Sequence, residues 1–112
     1  MNRELPLEIE CEAVRARLEA ADGLVLIDCR EPDEHATAQI AGARLIPMSQ
    51  LEALLGELQD LREVEIAVHC HHGGRSLRVV RWLREQGLPQ AQSMAGGIDR
   101  WSQVVDPSVP RY

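Results

Sequence analysis

The residues able to do chemistry gather in one run, His69-Cys70-His71-His72-Gly73-Gly74-Arg75-Ser76. Cys70 is a nucleophile once its thiol is ionised. The segment from His71 to Ser76 offers what favours ionisation: backbone N–H groups, the guanidinium of Arg75, and the imidazoles of His71 and His72, with an unperturbed pKa of about 6.5. Gly73 and Gly74 let the backbone curl without Cβ clashes. N–H groups turned inward this way cradle an anion. A thiol in such surroundings titrates at roughly 3.5–7.5 instead of about 8.5. The expected chemistry is nucleophilic attack by Cys70, with the anionic product held in the cradle and Arg75 closing it.

The cradle needs a strand before it and a helix after it. Residues 64–68, Val-Glu-Ile-Ala-Val, read as a buried strand, and residues 77–84 read as a helix that ends at Gln86 with Gly87 as its cap. Cys70 then lies between a strand end and a helix N-terminus, whose dipole adds to the field. Similar units fill the rest of the chain. Residues 7–10 suit a short edge strand. Residues 11–21 read as a helix ended by Asp22-Gly23. Residues 24–27 form an apolar strand closed by Asp28. Arg30-Glu31-Pro32 turns the chain into a short helix over 32–38, and residues 44–46 form a third strand. Ser49 and Glu52 fit a capping box. Leu51, Leu54, Leu55, Leu58 and Leu61 follow at helical spacing. Residues 91–94 give the last strand, and Gly96-Gly97 leads into a helix over 98–104. The proline-rich stretch from Asp106 to Tyr112 reads as an extended tail.

Strands alternating with helices predict an α/β fold, with a mostly parallel five-stranded sheet covered by helices on both faces. Ligands of such sheets bind beyond the carboxyl ends of the strands. That rule brings Asp28 and Cys70 to one rim.

The 112 residues suffice for one domain, 1–112, with a core over about 7–104 and a tail over 105–112. Phe is absent, so Leu, Val, Ile and Ala must fill the core. The formal charge of -6 argues against nucleic acid as a partner. No apolar run approaches the ~20 residues of a membrane span. Residues 1–12 are charged and lack the apolar segment of a leader. Three irregularly spaced cysteines, Cys11, Cys29 and Cys70, make a poor disulfide framework and suit a reducing, cytoplasmic setting. A monomer is expected.

Other polar residues take supporting parts. Asp28 is expected to accept from loop N–H groups or Arg75, and Arg30 to pair with Glu31 or Glu34 on the scaffold. Cys11 and Cys29 read as packing residues, with reaction between Cys29 and Cys70 as the alternative for the latter. Zinc is disfavoured, because adjacent His71 and His72 rarely ligate one ion together and paired cysteines are missing. No metal or organic cofactor is expected. Arg78, Arg81 and Arg84 spiral around their helix as solvated charge, with docking of an acidic carrier as the sharper alternative. Trp82 and Trp101 read as packing.

In four blocks the sequence resembles the rhodanese (sulfurtransferase) family: Leu26-Ile27-Asp28-Cys29-Arg30-Glu31; Ala38-Gln39-Ile40-Ala41-Gly42-Ala43 with Ile46-Pro47; the Cys70 to Arg75 loop; and Gly96-Gly97-Ile98-Asp99-Arg100-Trp101. The Cys-His-His-Gly-Gly-Arg-Ser loop and the tail look most like the rhodanese-like domains of enzymes that adenylate sulfur-carrier proteins. The resemblance implies a rhodanese-like fold and a sulfurtransferase that moves a sulfane sulfur through a persulfide on Cys70. The donor would be thiosulfate or a persulfide, small or on a protein. The acceptor would be a thiophile or a protein such as a sulfur carrier. Cys29 departs from the family's usual Val, Gln39 from its His and Ala38 from its Gly. His71 stands where many thiosulfate-using members carry Arg, which speaks against thiosulfate. The alternatives are a rhodanese-like binding or redox-sensing module, and a phosphatase or arsenate reductase. Those related enzymes carry one more residue between Cys and Arg than the four enclosed here.

Overall fold

Short apolar runs set the middle of the sheet. In this computed structural model, which describes residues 5–112, strands β2 (Val25–Asp28) and β4 (Ile66–His69) pair in parallel, Ile27 opposite Val68 and Asp28 opposite His69. Both are buried on two faces, which their unbroken apolar sequence requires. β5 (Ala91–Met94) flanks β4, and the two-residue strands β1 (Glu8–Ile9) and β3 (Arg44–Leu45) form the edges, in the order β1-β5-β4-β2-β3, all parallel. Residues 7–10 were expected as an edge strand, and β1 is one. Met1 to Glu4, part of the stretch read as lacking a leader, lie outside the described residues.

Alternation sorts the side chains to two cores. On one face Ile27, Cys29, Ile66, Val68 and Cys70 pack against Val79, Val80 and Leu83 of helix α4 (Gly74–Glu85), with Leu51 and Leu58 beside them. On the other, Leu26, Ala67 and Met94 meet Cys11 and Val14 of α1 (Cys11–Ala20) and Ile98 and Trp101 of α5 (Gly97–Val104). Full burial of a Val or Leu side chain stabilises by roughly 1.5–3 kcal/mol. The stripe on α4 therefore fixes that helix, and its N-terminus, against the sheet.

Helix α2 (Pro32–Thr37) starts with Pro32 at its first position. Its capping box is formed by Glu31 and Glu34, with Glu31 N–H donating to Glu34 Oε1 at 3.2 Å. The box expected at Ser49 and Glu52 is absent. Ser49 Oγ–H instead donates to Glu31 Oε1 at 2.9 Å. The leucine stripe does not form one helix either: a 3₁₀ turn (Met48–Gln50), further turns and a short α3 (Leu55–Gln59) share it. Leu51 and Leu58 are buried all the same, so burial of the leucines is met without a continuous helix. The tail also departs from expectation. It turns at Asp106–Ser108, buries Val109, and returns its Tyr112 to the carboxyl rim of the sheet. Ser102 Oγ–H and Val109 C=O are joined there by a buried hydrogen bond.

Candidate active site

Cys70 follows the last residue of β4 and is 1% exposed. Its sulfur accepts hydrogen bonds from the backbone N–H of Gly73 at 3.1 Å and of Ser76 at 3.3 Å, and the Ser76 hydroxyl stands 3.4 Å away. Gly73 caps α4 at φ +107, a conformation that side chains rarely adopt, and that bend aims its N–H at the sulfur. Ser76 lies in the first turn of α4, where N–H groups have no partner within the helix. Its hydroxyl is held by Ser93 Oγ at 2.7 Å. The sequence thus places a sulfur anion site with glycine at the bend and serine one turn into the helix.

The Cys70 thiol is held well below the usual thiol range. The largest cause is the neighbouring Cys29 thiol; burial opposes it, and the Ser76 hydroxyl and the two N–H groups add to the lowering. Cys29, fully buried beside it, is pushed up by the neighbouring Cys70 sulfur and by burial. Cys11 is raised to about 11, chiefly by burial, and lies on the other face of the sheet.

The back of the loop is tied to α5. Ile98 N–H donates to Cys70 C=O at 2.9 Å, and Asp99 N–H donates to His71 C=O at 3.1 Å. The approach is close enough to demand glycine at position 97: with φ +62, a Cβ there would lie 2.6 Å from the Cys70 carbonyl oxygen. From the sequence, Gly96-Gly97 was expected as a tight loop leading into the last helix; in the structure that helix starts at Gly97.

Arg75 takes another part than expected. Its guanidinium grips Glu34 with two hydrogen bonds, 2.7 and 2.8 Å, and makes none to the Cys70 sulfur. Arg75 pulls the Glu34 carboxyl down to about 2, against burial and with help from the Tyr112 hydroxyl. Tyr112 O–H donates to Glu34 Oε2 at 2.7 Å and accepts from Arg30 Nη1 at 2.9 Å. The tail therefore fastens the clamp that holds Arg75.

Asp28 and Arg30 also differ from expectation. Asp28 accepts neither from the loop nor from Arg75. It receives Arg30 N–H at 3.0 Å, Arg30 Nε at 2.9 Å, Arg30 Nη2 at 2.7 Å and His35 Nδ1 at 2.8 Å. Arg30 pairs with Asp28 rather than with Glu31 or Glu34 side chains, and also donates to the carbonyls of Ala38 at 2.6 Å and Glu34 at 3.2 Å. Both residues are fully buried. Burial would raise the Asp28 carboxyl, but Arg30, His69 and His35 outweigh it and hold it below the usual value. His69, buried at the end of β4, is pushed down to about 4 by desolvation against the pull of Asp28, so it is neutral near pH 7. Among the described residues its two ring nitrogens have no hydrogen-bond partner.

His71 stacks on His72, at 3.9 Å between ring centres, and on Tyr112, at 4.0 Å with the planes nearly parallel. Ligand atoms of His71, His72 and Asp99 lie within 4.8 Å of one another. Asp99 is already engaged by Arg111, with Nε at 2.8 Å, in an ion pair at the loop's outer edge. Among the described residues no helix is long and apolar enough to cross a membrane.

Comparison with known proteins fits this geometry. The family described as rhodanese-like domain matches residues 10–104. A protein of Zea mays named adenylyltransferase and sulfurtransferase MOCS3-2 is 33% identical over 109 residues, covering 93% of this chain and 23% of its own. A protein of Allochromatium vinosum named sulfurtransferase is 30% identical over 95 residues, covering 85% of this chain and 87% of its own. Among solved structures, a human single-domain sulfurtransferase superposes with a TM-score of 0.76 at 27% identity, covering 89% of this chain and 98% of that one. The chain spans 38% and 23% of the length of the first curated relatives it matches.

Proposed function

We propose, from the premise that the chain belongs to the rhodanese-like domain family, that it is a sulfurtransferase in which Cys70 is the nucleophile and carries sulfur as a persulfide. The Cys70 thiolate attacks the outer sulfur of a persulfide donor. A new S–S bond forms, the donor's S–S bond breaks, and its thiolate leaves. The terminal sulfur on Cys70 then passes to an acceptor nucleophile, and the thiolate returns. Both resting and loaded states are anionic, and the cradle suits both. The observation that carries this is the pair of N–H groups, from Gly73 and Ser76, aimed at the Cys70 sulfur. No metal or organic cofactor takes part in these steps.

Arg75 supports sulfur over phosphate. A phosphoryl group needs partners for several oxygens, and unpaired buried acceptors cost about 1–3 kcal/mol each. The guanidinium best suited to that task is already engaged by Glu34. The four-residue spacing between Cys70 and Arg75 also leaves a smaller ring than the phosphatase loop.

The donor we favour is a persulfidated thiol or protein, and the acceptor a sulfur carrier or another thiophile. The likeness to a protein named adenylyltransferase and sulfurtransferase supports this, as does His71 where many thiosulfate-using members of the family carry Arg. We favour a monomer. Three free cysteines suit the cytoplasm. The test is intact mass after exposure to glutathione persulfide. The protein should gain one sulfur, reversibly with a reductant, and Cys70→Ser should gain none. Gain of the same sulfur by Cys70→Ser, or robust Cys70-dependent hydrolysis of aryl phosphate, overturns the proposal. Steady-state kinetics should show thiosulfate as the poorer donor.

A further inference from the structure

We propose that Cys29 is a resolving thiol: when no acceptor arrives, it attacks the Cys70 persulfide, expels hydrosulfide and closes a Cys29–Cys70 disulfide. This rests on the sulfurtransferase proposal above. The geometry comes from the sheet. β2 and β4 are parallel neighbours with Ile27 opposite Val68 and Asp28 opposite His69. The next pair in register is Cys29 and Cys70, and the ladder continues to it through Cys29 N–H donating to His69 C=O at 3.0 Å. Side chains two apart share a face. Cys29 follows Ile27, and Cys70 follows Val68, all within one core cluster. Adjacent strands lie about 4.8 Å apart, and disulfides span Cα separations of about 4.4–6.8 Å. The two cysteines can therefore be bridged with the sheet in place.

The step balances without an outside oxidant. The persulfide is already at the oxidation level of a disulfide. Cys29 sulfur bonds to Cys70 Sγ, the bond from Sγ to the terminal sulfur breaks, and the Cys29 proton leaves with that sulfur as hydrosulfide. A dithiol reductant later restores both thiols. Full burial confines Cys29 to this one partner. Its thiol is raised by the adjacent sulfur and by burial, so it stays protonated and reacts slowly. A prompt acceptor takes the sulfur first; a tardy one finds the cysteine locked.

The test uses the whole protein loaded with glutathione persulfide, desalted and held without oxygen. Sulfide release and intact mass are followed together. The wild type should release one hydrosulfide per disulfide formed, and peptide mapping should join Cys29 to Cys70. Cys29→Val, which fills the space, should keep its persulfide at least about tenfold longer, since an intramolecular attacker is lost. Cys11→Ala should behave as wild type. Separately, diamide, a two-electron thiol oxidant, should cross-link Cys29 to Cys70 in unloaded protein. Equal persulfide lifetimes in wild type and Cys29→Val overturn the discharge step. Absence of the diamide cross-link overturns the pairing itself. Absence of any persulfide on Cys70 defeats the sulfurtransferase proposal and the discharge with it, while the diamide arm still reads the pair.

Discussion

Ser76→Ala separates two accounts of why Cys70 is acidic. In the wild type the hydroxyl lies 3.4 Å from the sulfur, while Arg75 is turned to Glu34. A hydrogen bond to a charged group is worth about 1.5–3 kcal/mol. The separation is long, so the lower end applies, and at 1.36 kcal/mol per unit the Cys70 pKa should rise by about one unit. The Cys29 thiol and the N–H groups of Gly73 and Ser76 remain, so it should stay below the free value of about 8.5. Arg75→Ala should shift it by less, because a guanidinium neutralised by Glu34 contributes a weak field at the sulfur. Ser76→Ala also strips the partner from the buried Ser93 hydroxyl; Ser76→Ala with Ser93→Ala controls for that. The assay is the rate of iodoacetamide labelling at Cys70 against pH, read by intact mass. An unchanged profile in Ser76→Ala, or a larger shift in Arg75→Ala, would refute the account.

Further outcomes are expected. Arg30→Gln removes the guanidinium from the buried Asp28 carboxylate, leaving only His35 of its present side-chain hydrogen-bond partners, and should cost about 3 kcal/mol in urea unfolding. Asp28 is depressed in the folded state, so its contribution to stability is present above its unfolded value of about 3.9 and is lost as pH falls through the lower folded one. Asp28→Asn should accordingly flatten the acid limb of the stability profile. Gly97→Ala should cost roughly 1–3 kcal/mol by crowding the Cys70 carbonyl, and should slow sulfur loading measured by mass. Tyr112→Phe keeps the stack on His71 but loses the bonds to Arg30 and Glu34. At about 1 kcal/mol, its melting temperature should fall by about 4 °C. Tyr112→Ala should fall further.

The centre of the fold was legible because its strands are apolar on both faces and its loops are marked by glycine. Residues 91–94 match β5 residue for residue, and Gly87 follows the end of α4 as its C-terminal signal required. The leucines over 51–61 misled because helical spacing records only which side chains are buried. A turn buries Leu51 and the short α3 buries Leu58, so no continuous helix is needed. Within the site, the positions of Cys70, Gly73 and Ser76 could be read from strand, bend and helix. The partnerships of Arg30, Asp28 and Arg75 could not, since charged residues carry no periodicity that names a partner. Tyr112 was out of reach for a similar reason: proline-rich sequence reads as extended, and the turn at 106–108 depends on Val109 finding a cavity. The pairing of Cys29 with Cys70 did leave a signal, the shared parity Ile27-x-Cys29 and Val68-x-Cys70 once two strands are set side by side.

The bonds from α5 to the loop have a consequence for how such a site can diversify. Ile98 N–H and Asp99 N–H fix the carbonyls of Cys70 and His71, and a trans peptide then turns the next N–H to the opposite side. The orientation of the loop is thus set main chain to main chain, independent of the side chains at 71 and 72. Those two side chains stand over a frame held by main-chain bonds. Imidazole, guanidinium, amide or methyl at those positions would leave the main-chain bonds from α5, and the backbone they orient, in place.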